Sequence, residues 1–80
     1  MIGLTDSQVD SLLYGETSLD LGVAFIDGWY DHEDGCKNID MVWLTPHREV
    51  SFIANGMSVL ELRRRLENEL IVYSEVQERL

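Results

Sequence analysis

The chain has one cysteine (Cys36), one proline and one lysine, and its first 36 residues contain no lysine or arginine. Each shortage excludes something. A lone cysteine cannot form an intrachain disulfide, so the fold must be held by its core, and a reducing compartment, most simply the cytoplasm, is expected. No apolar run approaches the ~20 residues that a membrane-spanning helix needs. No charged-then-apolar leader opens the chain, and no Asn-x-Ser/Thr acceptor occurs. Glycine stands at position 3 rather than 2, so the myristoylation pattern is missing too. There is no glycine-rich phosphate loop after a strand and no Gly-x-Ser-x-Gly elbow. Nothing resembles a complete catalytic site, and the expectation is a protein that is not an enzyme and carries no cofactor.

What the chain has in excess is negative charge, unevenly placed. The net charge is −9 over 80 residues. Residues 1–36 hold eight carboxylates and are net −8, whereas residues 37–80 balance seven acids against six lysines and arginines, net −1. Such a field repels nucleic acid and anionic membranes and steers the protein toward basic surfaces. Acidic surfaces also serve solubility alone, and both readings stay open here. The apolar fraction of 45% suits a globular chain, and this length makes a single domain, 1–80.

Thr5-Asp6-Ser7-Gln8 has the form of a helix-capping box, flanked by Leu4 and Val9 as a hydrophobic staple. Val9, Leu12 and Leu13 make one apolar face and Gly15 a stop, so the first helix spans roughly residues 5–14. From Leu19 the period changes to two. Leu19, Leu21, Val23 and Phe25 alternate with Asp20, Gly22 and Ala24 as a half-buried strand. Either this strand continues through Trp29 and Tyr30 to a turn at Glu33–Gly35, the favoured reading, with Asp27-Gly28 as a candidate bulge, or residues 27–35 form an acidic loop. Ile39, Met41 and Trp43 alternating with Asp40, Val42 and Leu44 form a second strand. After a turn at Thr45–Arg48, Val50, Phe52 and Ala54 mark a third, ending at Asn55-Gly56. Ser58–Glu61 is a second capping box. From there Val59, Leu62, Leu66, Leu70, Tyr73, Val76 and Leu80 recur at helical spacing, uninterrupted by proline. Glu61 with Arg65, Arg63 with Glu67, Arg65 with Glu69 and Glu75 with Arg79 sit four apart on its solvent side. The fold class is therefore α+β, in α-β-β-β-α order, with a three-stranded antiparallel sheet packed by a long C-terminal helix.

His32 and Cys36 share a loop with Asp27, Asp31, Glu33 and Asp34. One histidine and one cysteine among carboxylates match neither a zinc set nor the spacing of a calcium loop, so no metal is expected. Surrounding negative charge disfavours a reactive thiolate, which works against Cys36 as a nucleophile. Arg63-Arg64-Arg65, the one basic cluster, is better explained by pairing to Glu61, Glu67 and Glu69 than by a phosphate. Trp29 and Tyr30, set among Asp20, Asp27, Asp31, Glu33 and Asp34, have the composition of a partner-binding hot spot. Sheet core for one ring and partial exposure for the other is an equal alternative. Successive same-face strand positions lie ~6.6 Å apart, a step that Asp31 and Glu33 make, with Asp27 farther along. Leu60, Ile71 and Val72 fall off the main stripe of the last helix and are candidate homodimer contacts.

The α-β-β-β-α order resembles the double-stranded-RNA-binding domain. The lysine cluster that opens that family's second helix is absent from Met57–Glu61. In architecture and charge the chain is also similar to small acidic phage-encoded inhibitors, such as DNA-mimicking anti-CRISPR proteins and uracil-DNA glycosylase inhibitors, although no motif ties it to one of them. These features imply an inhibitor or nucleic-acid mimic whose acidic N-terminal half meets a basic nucleic-acid-binding protein, without contacting nucleic acid or membrane itself. The alternative is an assembly or antitoxin-like partner that works through the last helix.

Overall fold

A computed structural model describes residues 3–78, with side chains described as far as residue 75. Helix α1, Asp6–Tyr14, starts where the capping box places it: the Gln8 N–H donates to the Thr5 hydroxyl at 3.1 Å and the Thr5 N–H to Gln8 Oε1 at 2.9 Å. Strands β1 (Thr17–Asp20), β2 (Ala24–Asp31), β3 (Cys36–Trp43) and β4 (Arg48–Ile53) follow, and then α2, Val59–Glu78. The strands form one antiparallel sheet in the order β1-β2-β3-β4.

The sheet thus has four strands, not the three expected. The alternating run from Leu19 to Phe25 is interrupted by a tight reversal at residues 21–23. Gly22 adopts φ +81°, a conformation that costs glycine little and other residues much. The Asp20 carboxylate accepts its N–H at 2.8 Å, and the Leu21 N–H donates to the Ala24 carbonyl at 2.9 Å. The reversal flips the phase of the pattern: Leu19 packs against the core beside its register partner Ile26, while Val23 and Phe25 are exposed. With the extra strand the order becomes α-β-β-β-β-α, and the likeness to the double-stranded-RNA-binding domain no longer holds even for element order.

The long β2–β3 hairpin is present, with Asp31 opposite Cys36 and Gly35 at φ +67° in its turn. Pairing runs unbroken through Asp27–Asp40 and Gly28–Ile39, so no bulge occurs at Asp27-Gly28. Gly28 is instead the point where α1 meets the sheet. A β-carbon there would lie 2.5 Å from the Leu12 carbonyl oxygen, inside any permissible contact. Helix α1 can approach strand β2 this closely only because a side chain is missing.

Both helices cover the same side of the sheet. Ala24, Ile26, Ile39, Met41 and Trp43 point toward them and are fully buried with Val9, Leu12, Leu62 and Leu66. Tyr73 stacks on Trp43 with ring centroids 5.2 Å apart, and its hydroxyl donates to the Thr45 carbonyl. The Arg48 guanidinium lies 4.9 Å over Trp43 and donates to Glu69 at 3.1 Å. Arg65 lies 4.4 Å over Phe52, and Arg63 pairs with Asp6 across the helix interface.

Two of the expected helix pairs form, Arg63–Glu67 at 3.8 Å and Arg65–Glu69 at 3.4 Å. The Glu61 carboxylate turns back to the Ser58 hydroxyl at 3.1 Å instead of toward Arg65. Val59 is half-buried against the core. The expected contacts of Val76 and Leu80, and the Glu75–Arg79 pair, lie outside the described side chains. No helix among the described residues is long and apolar enough to cross a membrane.

Candidate functional site: the open face of the sheet

Because strand side chains alternate, a sheet covered on one side presents every second residue on the other. Among the described residues no element covers that other side. The register lays it out as cross-strand rows. One row reads Asp20, Phe25, Val42, Glu49 from β1 to β4; the next reads Ser18, Asp27, Asp40, Ser51; the third carries Trp29, Asn38 and Ile53. Asp31 and Cys36 pair beyond them. At the opposite end Val23 and Leu44, joined by an N–H to carbonyl bond of 3.3 Å, extend the face past Phe25 and Val42.

The face combines carboxylates with bare apolar surface. Phe25 is 39% exposed, Trp29 42%, Val23 47%, Leu44 50% and Ile53 58%. Asp20, Asp27, Asp31, Asp40 and Glu49 stand among them, and among the described residues no lysine or arginine does. The cations of the strands point the other way. Lys37, the one buried charged residue described, donates from Nζ to the Gly15 carbonyl at the end of α1, where a positive charge meets the negative end of the helix. Arg48 faces Trp43 and Glu69. His47, in the turn before β4, reaches Glu49 at 3.3 Å along the rim.

At the centre of the face Asp27 and Asp40 are register partners. Like charges placed directly opposite one another destabilise a strand pair by roughly 0.2–1 kcal/mol. Each is held by a neighbour: the Ser18 hydroxyl donates to Asp27 Oδ1, and the Trp29 indole N–H to Asp40 Oδ2 at 2.6 Å. These four side chains border a surface depression of about 530 Å3. The second oxygen of each carboxylate is left as an acceptor, which gives the depression a double negative charge beside an aromatic ring.

The residues expected to bind a partner divide between three places. Asp20, Asp27, Trp29 and Asp31 belong to the open face by alternation. Tyr30 lies on the opposite side, edge-on to His32 at 4.9 Å, where it lines a cleft with Leu13, Tyr14, Glu16 and Lys37. Glu33 and Asp34 sit in the hairpin turn, where their N–H groups donate to Asp31 Oδ1 at 2.9 and 3.2 Å. The same-face step from Asp31 to Glu33 therefore does not exist: β2 ends at Asp31, and its carboxylate is engaged in closing the turn. Among the described residues no three His, Cys, Asp or Glu side chains gather as a metal site. Leu60, Ile71 and Val72 are exposed on α2 at 45%, 41% and 39%.

The reading by sequence halves missed Asp40, Glu49, Phe25, Val42 and Ile53. The signal was present in the alternation of β3, where Asp40 and Val42 are out of phase with Ile39, Met41 and Trp43. Only pairing across the 32–35 turn brings Asp40 beside Asp27. No protein-family model, curated protein or solved structure matches the chain.

Proposed function

We propose that this protein is an inhibitor or decoy of small acidic type, which occupies the basic surface of a nucleic-acid-handling protein through the open face of its sheet. The observation that carries this reading is the segregation of charge by face: Asp20, Asp27, Asp31, Asp40 and Glu49 stand together with exposed aromatic rings, while Lys37 and Arg48 of the same strands point into the helices. A rigid sheet holds these carboxylates at repeats of ~4.8 Å across and ~6.6 Å along the strands. Such an array offers a phosphate-binding groove negative charge without a nucleic acid backbone. The exposed Leu60, Ile71 and Val72 support a second reading, self-association or assembly along α2.

The test is capture from a bacterial lysate by the immobilised protein and by its Asp27→Asn/Asp40→Asn variant, each at low and high salt. The expected result is a nucleic-acid-binding protein that the variant retains poorly and that duplex DNA or high salt releases. A partner indifferent to DNA, to salt and to the double substitution defeats the decoy reading. Should that partner be a further copy of this chain, the α2 reading takes its place.

A further inference from the structure

Resting on that reading, we propose that the partner element seated on the open face is a cationic amphipathic helix, lying along β2 and β3 with one arginine in the depression between Asp27 and Asp40. Three observations point to a helix. The face is about 14 Å wide at ~4.8 Å per strand spacing, and a helix with its side chains is about 10–12 Å in diameter. Apolar residues of this face form two successive cross-strand pairs, exposed Val23 with exposed Leu44 and exposed Phe25 with half-buried Val42. These pairs lie ~6.6 Å apart along the strands, close to the ~6 Å rise between helix residues four apart. The next row, one further step along, is the Asp27–Asp40 pair. A helix carrying apolar residues at i and i+4 and an arginine at i+8 meets all three rows in order.

The charges select among occupants. Asp20 and Glu49 flank the Phe25–Val42 pair at the two sheet edges, so lysines or arginines on both sides of the apolar stripe find carboxylates. The planar guanidinium suits the central depression: it carries five N–H donors, enough for the free oxygens of both aspartates, and stacks on an indole. An extended strand adds to a sheet at its edge and leaves this face uncovered. A second copy of the chain brings the same carboxylates against themselves, and nucleic acid or an anionic membrane brings the same sign of charge.

The experiment titrates the 15N-labelled protein with two synthetic 18-residue peptides of identical composition and charge. One has leucines and arginines in amphipathic helical order, and the other has them scrambled. The expected result is at least tenfold tighter binding of the amphipathic peptide, with amide shifts concentrated at Phe25, Asp27, Asp40 and Val42. Phe25→Ser/Val42→Thr, at an exposed and a half-buried position that both lie outside the core cluster, is expected to remove the preference between peptides. Asp27→Asn/Asp40→Asn is expected to weaken the amphipathic peptide about tenfold. Equal affinity for both peptides overturns the helix and leaves the acidic decoy standing as a purely electrostatic surface. Failure of both peptides to bind at low salt overturns both readings.

Discussion

The two faces of this sheet are built from the same strands, and they do opposite things. The covered face takes Ile26, Ile39, Met41 and Trp43 to complete burial and turns Lys37 and Arg48 toward a helix end, a ring and a carboxylate. The open face leaves Phe25, Trp29 and Ile53 in water and places Asp27 against Asp40 without an intervening cation. Stability resides in one set of alternate positions. The other set gives up stability, through exposed rings and a like-charged pair, for a surface of one sign. A fold under selection for stability alone has no reason to pair two aspartates mid-sheet, and this asymmetry is the physical ground for proposing a function for the open side.

Substitutions that break the comparison divide by size. The largest effect belongs to the covered face. Trp43→Ala removes the ring that Tyr73 stacks on and Arg48 caps, and is expected to cost about 3–5 kcal/mol in urea unfolding. Trp43→Phe is expected to cost markedly less, because the buried Trp43 Nε1–H has no hydrogen-bond partner to lose. Equal losses for the two variants mean that the indole N–H contributes after all.

Gly28→Ala comes next. Its methyl meets the Leu12 backbone, which cannot move without shifting α1, so a loss of about 1–3 kcal/mol is expected from overpacking. An unchanged unfolding midpoint would show that the helix yields easily. The smallest effect, opposite in sign, belongs to the open face. Asp27→Asn or Asp40→Asn keeps an acceptor for Ser18 or Trp29 and relieves the cross-strand repulsion, for a gain of up to about 1 kcal/mol that shrinks as salt is added. A loss there means that the neighbouring donors hold the carboxylates more strongly than the carboxylates repel.

Local signals were legible where a few adjacent residues decide the outcome. The Thr5–Gln8 box, the stripe of Leu62, Leu66, Leu70 and Tyr73, and the buried phase of β3 are all nearest-neighbour patterns, and the structure bears them out. The Leu19–Phe25 run misled because alternation has no direction. A tight turn of residues 21–23 around Gly22 reverses the chain while leaving the hydrophobic rhythm nearly intact. Gly28 showed only as an interruption in a strand, since its role is set by a helix backbone 16 positions earlier in the chain, at Leu12.

The candidate site was legible in part for the same reason. Asp20, Asp27, Trp29 and Asp31 stand out locally as aromatics among acids, but Tyr30, adjacent to Trp29, lands on the other side of the sheet. Charge counted by halves of the chain located the acids of β1 and β2 and overlooked Asp40 and Glu49, which the balanced second half concealed.

By itself the sequence determined the acidic character, the two helices with their caps, the alternation of β3 and the residues that had to be buried, because composition, capping and periodicity act over a few residues. The tertiary structure alone decided that there are four strands and that both helices take the same side. It alone decided that Asp27 meets Asp40 beside Trp29 on a face that no described element covers. Those outcomes depend on where the chain reverses and which strand pairs with which, and pairing joins residues that no local pattern connects.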